Sequence, residues 1–401
     1  MRRKKDIYTD KNKVQLVQGG QEYFALLEQL IDKAQHSVYI LVYIFDDDHT
    51  GTQIADALKR AAKRGVKVYL LVDGYGARMT KHFIQELRTA GVKFRRFNPL
   101  FRSKHFYIGR RMHIKLVVVD ATYSLVGGRN IADYYNDLPG RPAWLDLALY
   151  IEGEVVPELE RVAIRGWNSM LEPAGRAKAT SLADAERRID ALNIQHTCPI
   201  AVRRNDWVRA KTEILSSYYN MFRTAKEEIV ILGSYFLPGY KMRRYMERAA
   251  ERGVRIKVVV TGVSDILLAK YAERYLYKWM LRNNIEVYEY TRNVLHAKAA
   301  VADHHRMTIG SFNVNNLSAH VSIELNVDVD NKAFVRGVQQ QFNHIIAQDC
   351  MQVTDEWYSK SSILRRLMER LAYEALRLML YITTFYYKSE KPPAESAEYN
   401  Y

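Results

Sequence analysis

Met112-His113-Ile114-Lys115-Leu116-Val117-Val118-Val119-Asp120 is followed, after six residues, by Gly127-Gly128-Arg129-Asn130. The pattern returns later in the chain. Leu295-His296-Ala297-Lys298-Ala299-Ala300-Val301-Ala302-Asp303 is followed, again after six residues, by Gly310-Ser311-Phe312-Asn313. Each copy reads His-x-Lys, four residues, Asp, six residues, Gly-(Gly/Ser)-x-Asn. The apolar run after each His-x-Lys predicts a β-strand, in which residues two apart share a face. His113 then points the same way as Lys115, and His296 the same way as Lys298.

Those residue types suit phosphoryl chemistry. A lysine ammonium is a point charge that stabilises nonbridging phosphate oxygens. An imidazole beside it can attack phosphorus or deliver a proton. The glycines let backbone approach a ligand closely, and Asn130, Asn313 and the Ser311 hydroxyl can bind a phosphate oxygen. An acidic residue precedes a further apolar run after each motif: Asp146 before Leu147-Ala148-Leu149, and Glu324 before Leu325-Asn326-Val327. A carboxylate hydrogen-bonded to an imidazole fixes its tautomer and supports its cation, so Asp146 and Glu324 are the expected orienting groups.

Upstream, the repeat continues. Ser37-Val38-Tyr39-Ile40-Leu41-Val42-Tyr43-Ile44-Phe45 leads through a helical stretch to Gly65 and the strand Lys67-Val68-Tyr69-Leu70-Leu71-Val72. Glu228-Ile229-Val230-Ile231-Leu232-Gly233-Ser234-Tyr235-Phe236 leads likewise to Gly253 and Arg255-Ile256-Lys257-Val258-Val259-Val260. Strand, helix, glycine stop and strand predict a β-α-β unit. Gly65 and Gly253 lie 188 residues apart, a period that indicates a duplicated domain rather than a solenoid.

The two motifs resemble the HKD signature of the phospholipase D superfamily. The chain is similar, over nearly its whole length, to bacterial cardiolipin synthases, and most to the B kind, which lacks N-terminal membrane spans. Asp73-Gly74-Tyr75-Gly76, Arg110-Arg111-Met112-His113, Tyr235-Phe236-Leu237-Pro238-Gly239-Tyr240 and Glu324-Leu325-Asn326-Val327 carry that closer likeness. The resemblance implies an α/β fold of two sandwich domains related by pseudo-two-fold symmetry, with the active site between them. It implies phosphatidyl transfer through a phosphohistidine, without metal or other cofactor. By motif position it assigns His113, Lys115, Asp120, His296, Lys298 and Asp303 as catalytic, with the two aspartates more structural than reactive. His113 is the expected nucleophile and His296 the expected acid. Gly128 stands where the second copy has Ser311, so the halves are not equivalent. Hydrolytic phospholipase D action and nuclease action remain alternatives, as does a silent membrane scaffold.

Composition bounds the rest. The 401 residues, 48% hydrophobic and 11% aromatic, fit a folded chain with substantial cores. The formal charge of +15 attracts polyanions, either nucleic acid or an anionic lipid surface. Cys198 and Cys350 cannot make a disulfide framework, and a reducing compartment is expected. No stretch has the roughly 20 apolar residues of a membrane span. The basic start, Met1 to Lys5, is not followed by an apolar core and does not read as a signal peptide. The resemblance points to anionic phospholipids, phosphatidylglycerol and cardiolipin, as partners at the cytoplasmic face of the bacterial inner membrane, with no nucleic acid; oligomeric state stays open.

The expected organisation is an N-terminal domain over 1–171 (motif 107–133), a connector over 172–206, a C-terminal domain over 207–350 (motif 290–317), and a helix and tail over 351–401. In residues 363–387, Leu364, Leu367, Met368, Leu371, Ala375, Leu378, Met379 and Ile382 recur at helical spacing, with arginines and glutamates opposite. This basic amphipathic helix either lies in a membrane interface or packs its apolar face on the second domain. Residues 101–111, rich in Arg, Lys and aromatics, either gather anionic headgroups or form a solvated loop. Tyr271, Tyr275 and Trp279 either line an acyl-chain pocket or belong to a core. Asp46-Asp47-Asp48-His49 reads as a polar loop.

Overall fold

The computed structural model describes residues 7–99, 110–169, 176–195, 197–206 and 211–389. The expected headgroup-gathering stretch at 101–109 and the tail beyond 389 lie outside them. The first sheet holds β1 (Asn12–Val17), β2 (Ser37–Val42), β3 (Lys67–Asp73), β4 (Lys93–Phe97), β5 (Leu116–Val119), β6 (Tyr123–Gly127) and β7 (Ala148–Gly153), in the order β1-β7-β6-β5-β2-β3-β4. The second holds β8 (Ile200–Asp206), β9 (Lys211–Thr212), β10 (Glu228–Gly233), β11 (Arg255–Thr261), β12 (Ile285–Tyr290), β13 (Lys298–Ala302), β14 (Arg306–Gly310), β15 (Glu324–Asp330) and β16 (Cys350–Val353). Its order is β16-β12-β11-β10-β13-β14-β15-β8-β9. Without β9 and β16, the second order repeats the first strand for strand.

Helices α1 (Gly20–Lys33), α2 (His49–Lys63) and α3 (Lys81–Thr89) cover the outer face of the first sheet, and α4 (Val156–Asn168) its inner face. Helix α5 (Leu182–Asp190) leads to the second half, where α6 (Glu213–Thr224), α7 (Tyr240–Glu251), α8 (Leu267–Tyr275) and α9 (Tyr277–Arg282) lie outside. Short α10 (Asn316–His320) follows the second motif, and α11 (Lys332–Asp349) packs inside like α4. Helices α12 (Asp355–Ser359) and α13 (Ile363–Ser389) close the described chain. The inner core therefore joins both halves, and the sheets meet at β6, β7, β14 and β15.

The sequence patterns account for this arrangement. In β2 every residue is buried: Val38, Ile40 and Val42 pack outward against helices, while Tyr39 and Leu41 face the shared core. A central strand covered on both faces has no polar alternation to keep. Strands β2 and β3 are parallel, as are β10 and β11, so each pair needs a crossover helix. Asp48 caps α2 by accepting from the Gly51 amide at 2.9 Å. The helix stops at Gly65, whose φ of +89° has its counterpart in +88° at Gly253; glycine adopts that conformation without steric cost.

One expectation is revised and one pair of alternatives is narrowed. Residues 200–206, read as the end of the connector, are β8, paired with β15 as β1 pairs with β7. The charged letters Arg203-Arg204-Asn205-Asp206 hid the strand, and Arg203 is accommodated by a 2.6 Å ion pair with Asp328. The amphipathic helix forms as α13 but does not pack on the protein through its leucines. Its opposite side, with Glu369, Ala372 and Tyr373, faces α8, where Tyr373 meets Tyr275 at 4.8 Å between ring centres. Tyr275 and Trp279 are packed against the outer core of the second half, as the core alternative has it for these two; Tyr271 is half-buried outside that cluster and Leu268 is exposed.

Candidate active site

The two histidines sit just before their strands, since β5 begins at Leu116 and β13 at Lys298. The reason is that each preceding segment pairs with the other half. Met112 bridges Ile323, and the His113 amide donates to the Ile323 carbonyl at 3.0 Å. Leu145 bridges Leu295, and the His296 amide donates to the Leu145 carbonyl at 2.8 Å. Each bridge places the next residue, an acid, beside the histidine of the opposite half. His113 Nδ1 lies 3.0 Å from Glu324 Oε2, and His296 Nδ1 lies 2.7 Å from Asp146 Oδ2. Both carboxylates are fully buried. Such contacts engage Nδ1 of each ring and leave Nε2 clear of the carboxylates.

The lysines fold back on their own histidines. Lys115 Nζ donates to the His113 carbonyl at 2.8 Å, and Lys298 Nζ donates to the His296 carbonyl. Both ammonium groups are buried. Burial pushes the Lys115 pKa well down and that of Lys298 to about 8. It also lowers both imidazoles; the neighbouring carboxylates oppose this without overcoming it. The charge of Lys298 is felt at His113, and that of Lys115 at His296, so the two motifs form one electrostatic site. Burial, more than the carboxylates Asp146 and Glu324 that face both lysines, sets these shifts, and an arriving phosphodiester anion would favour the charged ammonium forms.

Asp120 and Asp303, carried over as catalytic, stand at the far ends of β5 and β13. Asp120 accepts from the amides of Gln35, His36 and Ser37, each at 2.8 Å. Asp303 accepts from those of Lys226, Glu227 and Glu228 at 2.9, 2.9 and 3.1 Å. They anchor the starts of β2 and β10. A carboxylate is the side chain that can take several backbone donors at once.

Two of the three expected phosphate ligands, Asn130 and Ser311, are committed within the protein. Asn130 accepts from the Ile44 amide and donates to the Tyr135 hydroxyl at 2.8 Å. The Ser311 hydroxyl donates to Glu324 and accepts from the Leu325 amide. Asn313 is buried, and its side-chain oxygen has no hydrogen-bond partner among the described residues. The glycines approach the acid-bearing strands rather than a ligand: a Cβ at Gly128 would overlap the Asp146 carboxylate, and one at Gly310 the Leu325 carbonyl.

The family model described as "Cardiolipin synthase, PLD-like domain" matches residues 27–138 and 218–346, so each match contains one His-x-Lys motif. The chain belongs to this family. Curated relatives include cardiolipin synthase B of Escherichia coli strain K12, 31% identical over 91% of this chain and 88% of that protein. The Salmonella typhimurium protein of the same name is 32% identical over the same shares. Cardiolipin synthase of Halalkalibacterium halodurans is 29% identical over 77% of this chain and 60% of its own. Among solved structures, phosphatidylserine synthase from Haemophilus influenzae superimposes with a TM-score of 0.70 at 13% identity, covering 92% of this chain and 94% of that one. Polyphosphate kinase from Porphyromonas gingivalis gives 0.57 at 14% identity, covering 92% and 53%. Both show the fold.

In this cardiolipin synthase family member, several site residues have no signal in the motifs. The Tyr43 ring meets His113 edge-on at 5.1 Å, and Tyr135, Trp144 and Tyr235 surround His296 at 5.2, 6.1 and 6.4 Å. The Tyr135 hydroxyl is 3.4 Å from His296 Nε2. Buried Arg129 donates at 2.6 Å to the carbonyls of Tyr135 and Asp146 and so holds both in place. Asp73 takes the Met112 amide at 2.9 Å and pairs with Arg111 at 3.2 Å. Of these, Tyr43, Asp73, Arg111, Arg129 and Tyr235 stood inside quoted strings without a role; Tyr135 and Trp144 came from a loop whose destination only the fold reveals.

Proposed function

We propose that the protein is a cardiolipin synthase that joins two phosphatidylglycerol molecules and releases glycerol. The supporting observation is the pair of histidines, each held at Nδ1 by a buried carboxylate from the other half and each accompanied by a buried lysine. His113 is the nucleophile: among the described residues no hydrogen bond occupies its Nε2, and burial keeps the ring neutral. His296 enters this step as the imidazolium, which Asp146 and the arriving phosphodiester anion favour over the burial that disfavours it in the empty site. Nε2 of His113 attacks phosphorus, and the bond to the glycerol oxygen breaks as that oxygen takes the Nε2 proton of His296, leaving that ring neutral. Neutral His296 then accepts the proton of a hydroxyl on the second phosphatidylglycerol. That oxygen bonds to phosphorus and His113 leaves. Lys115 and Lys298 stabilise the nonbridging oxygens in both steps.

In this reading two phospholipase-D-like domains, at 1–171 and, with β8 counted in the second, 200–350, contribute one motif each to the reaction. Anionic phospholipids are the partners. None of the helices among the described residues is long and apolar enough to cross a membrane, and a peripheral position on the cytoplasmic face of the bacterial inner membrane fits the reading.

The test is incubation of purified protein with phosphatidylglycerol vesicles in the presence of chelator, followed by mass spectrometry of the lipids. Cardiolipin with stoichiometric glycerol is the expected result. Phosphatidic acid alone means that water, not a lipid hydroxyl, reaches the phosphohistidine. Cleavage of DNA instead of lipid overturns the reading.

A further inference from the structure

Helix α13 turns its apolar side away from the protein. Leu364, Leu367, Leu371 and Leu378 are 66%, 50%, 60% and 59% exposed, while Glu369 on the opposite side is 2% exposed and Ala372 6%. The inner side is held by polar and aromatic contacts: Arg365 pairs with Glu369 at 3.2 Å and lies over the Trp357 ring, and Arg366 donates to the Ser359 carbonyl at 2.7 Å. Helix α13 runs along α8, and the segment entering α8 is apolar and exposed too, with Val263 at 55%, Ile266 at 49% and Leu267 at 69%. Isolated exposed apolar residues are ordinary, but a run of them along one side of a helix marks an interaction surface, and a second exposed apolar set stands at the start of the helix that α13 packs on.

Helix α8 is also tied to the reaction centre. Buried Lys270 donates to the Thr261 carbonyl and to Glu273, and Thr261 Oγ1 accepts from the Leu295 amide at 3.1 Å, directly before His296. Glu273 accepts from the Phe236 amide at 3.1 Å, and the Tyr235 hydroxyl, whose ring stands by His296, donates to Asp265 at 2.7 Å.

We propose that the leucine stripe of α13, together with Val263, Ile266 and Leu267, is the surface that docks the protein on an anionic lipid bilayer, with α8 as the rigid link to the His296 side of the site. This rests on the phospholipid reading above. A bilayer fits better than a second copy or a protein partner for three reasons. Arg370 and the Arg377–Glu374 pair lie beside the stripe and the whole chain carries +15, so the patch is apolar on a basic protein, the pattern of an in-plane interfacial helix. The proposed substrate is itself held in a bilayer. No described helix anchors the chain by crossing one.

The experiment is co-sedimentation of the full chain with phosphatidylcholine vesicles, with and without phosphatidylglycerol. It compares wild type, the double variant Leu367→Glu/Leu371→Glu, and Leu267→Glu. Thermal melting serves as the fold control, because all three positions are exposed. The expected result is binding of the wild type that strengthens with phosphatidylglycerol. Each variant should bind about tenfold or more weakly, while activity on detergent-dispersed short-chain phosphatidylglycerol is unchanged. Wild-type-like sedimentation of both variants overturns the proposal, as does absence of wild-type binding. A wild-type dimer that the double variant dissociates assigns the face to self-association and overturns it as well. Sedimentation is read without turnover: loss of binding in variants of a protein that makes no cardiolipin keeps the docking surface and removes the synthase reading.

Discussion

His296 Nδ1 stands 2.7 Å from Asp146 Oδ2, although 150 residues of chain separate them and they belong to opposite halves. The carboxylate fixes the ring so that Nε2 carries or receives the proton. Asp146→Asn keeps the shape and removes the charge. We expect kcat to fall by about two to four orders of magnitude, with a melting temperature near that of wild type. Glu324→Gln should do the same through His113. Steady-state kinetics on phosphatidylglycerol with calorimetry checks both; a variant with near-normal kcat refutes the orienting role. His113→Ala and His296→Ala should each abolish turnover in a folded protein.

The motif aspartates give the opposite pattern. Asp120→Ala strands three backbone donors at the start of β2. Destabilisation on the order of 3 kcal/mol is expected, with kcat per folded molecule little changed. Urea unfolding followed by activity at low temperature separates the two effects.

Burial lowers the Lys298 ammonium to about 8. The empty enzyme therefore carries this cation below that pH and loses it above. Since kcat/KM reports the free enzyme, it should decline on the alkaline side with an apparent pKa near 8, mainly through a rising KM for the anionic lipid. On the acid side, both imidazoles are held below their ordinary value of 6.5 by burial, so the nucleophile stays neutral and activity persists below that pH. A pH profile of kcat/KM that is flat through pH 8 contradicts the assignment.

Gly128 and Ser311 mark the difference between the halves. Adding a methyl group at Gly128 pushes on the Asp146 carboxylate, and Gly128→Ala should lower kcat about a hundredfold through displacement of His296. Ser311→Ala removes a donor to Glu324 and the acceptor of the Leu325 amide without pushing on the carboxylate; a loss on the order of tenfold is expected. Equal losses in the two variants would show that the asymmetry has no kinetic meaning.

The fold was legible where one segment carries its own signal. The continuous apolar run of β2 and the glycines at 65 and 253 announce a β-α-β unit twice, and the identical spacing of His, Lys and the downstream glycine announces the duplication. The cross-half partners Asp146 and Glu324 were legible because an acid precedes a strand in both copies. What was not legible depends on pairing between distant segments. The strand face expected for His113 and Lys115 assumed that β5 started earlier, but Met112 pairs with Ile323 of the other half. Ser311 and Asn130 look like ligand donors as letters; only the fold shows that Glu324 and Tyr135 take up their hydrogen bonds. Strand β8 was hidden by charges that Asp328 neutralises.

The exchange of acids between halves has a further consequence for a chain still being made. When the first motif has left the ribosome, His113 is complete in sequence but has no carboxylate, because Glu324 comes 211 residues later. Neither half owns a finished catalytic pair, so chemistry switches on only when the whole molecule has folded and docked upon itself. A truncated or half-unfolded chain at a membrane is thereby kept from attacking the lipids around it.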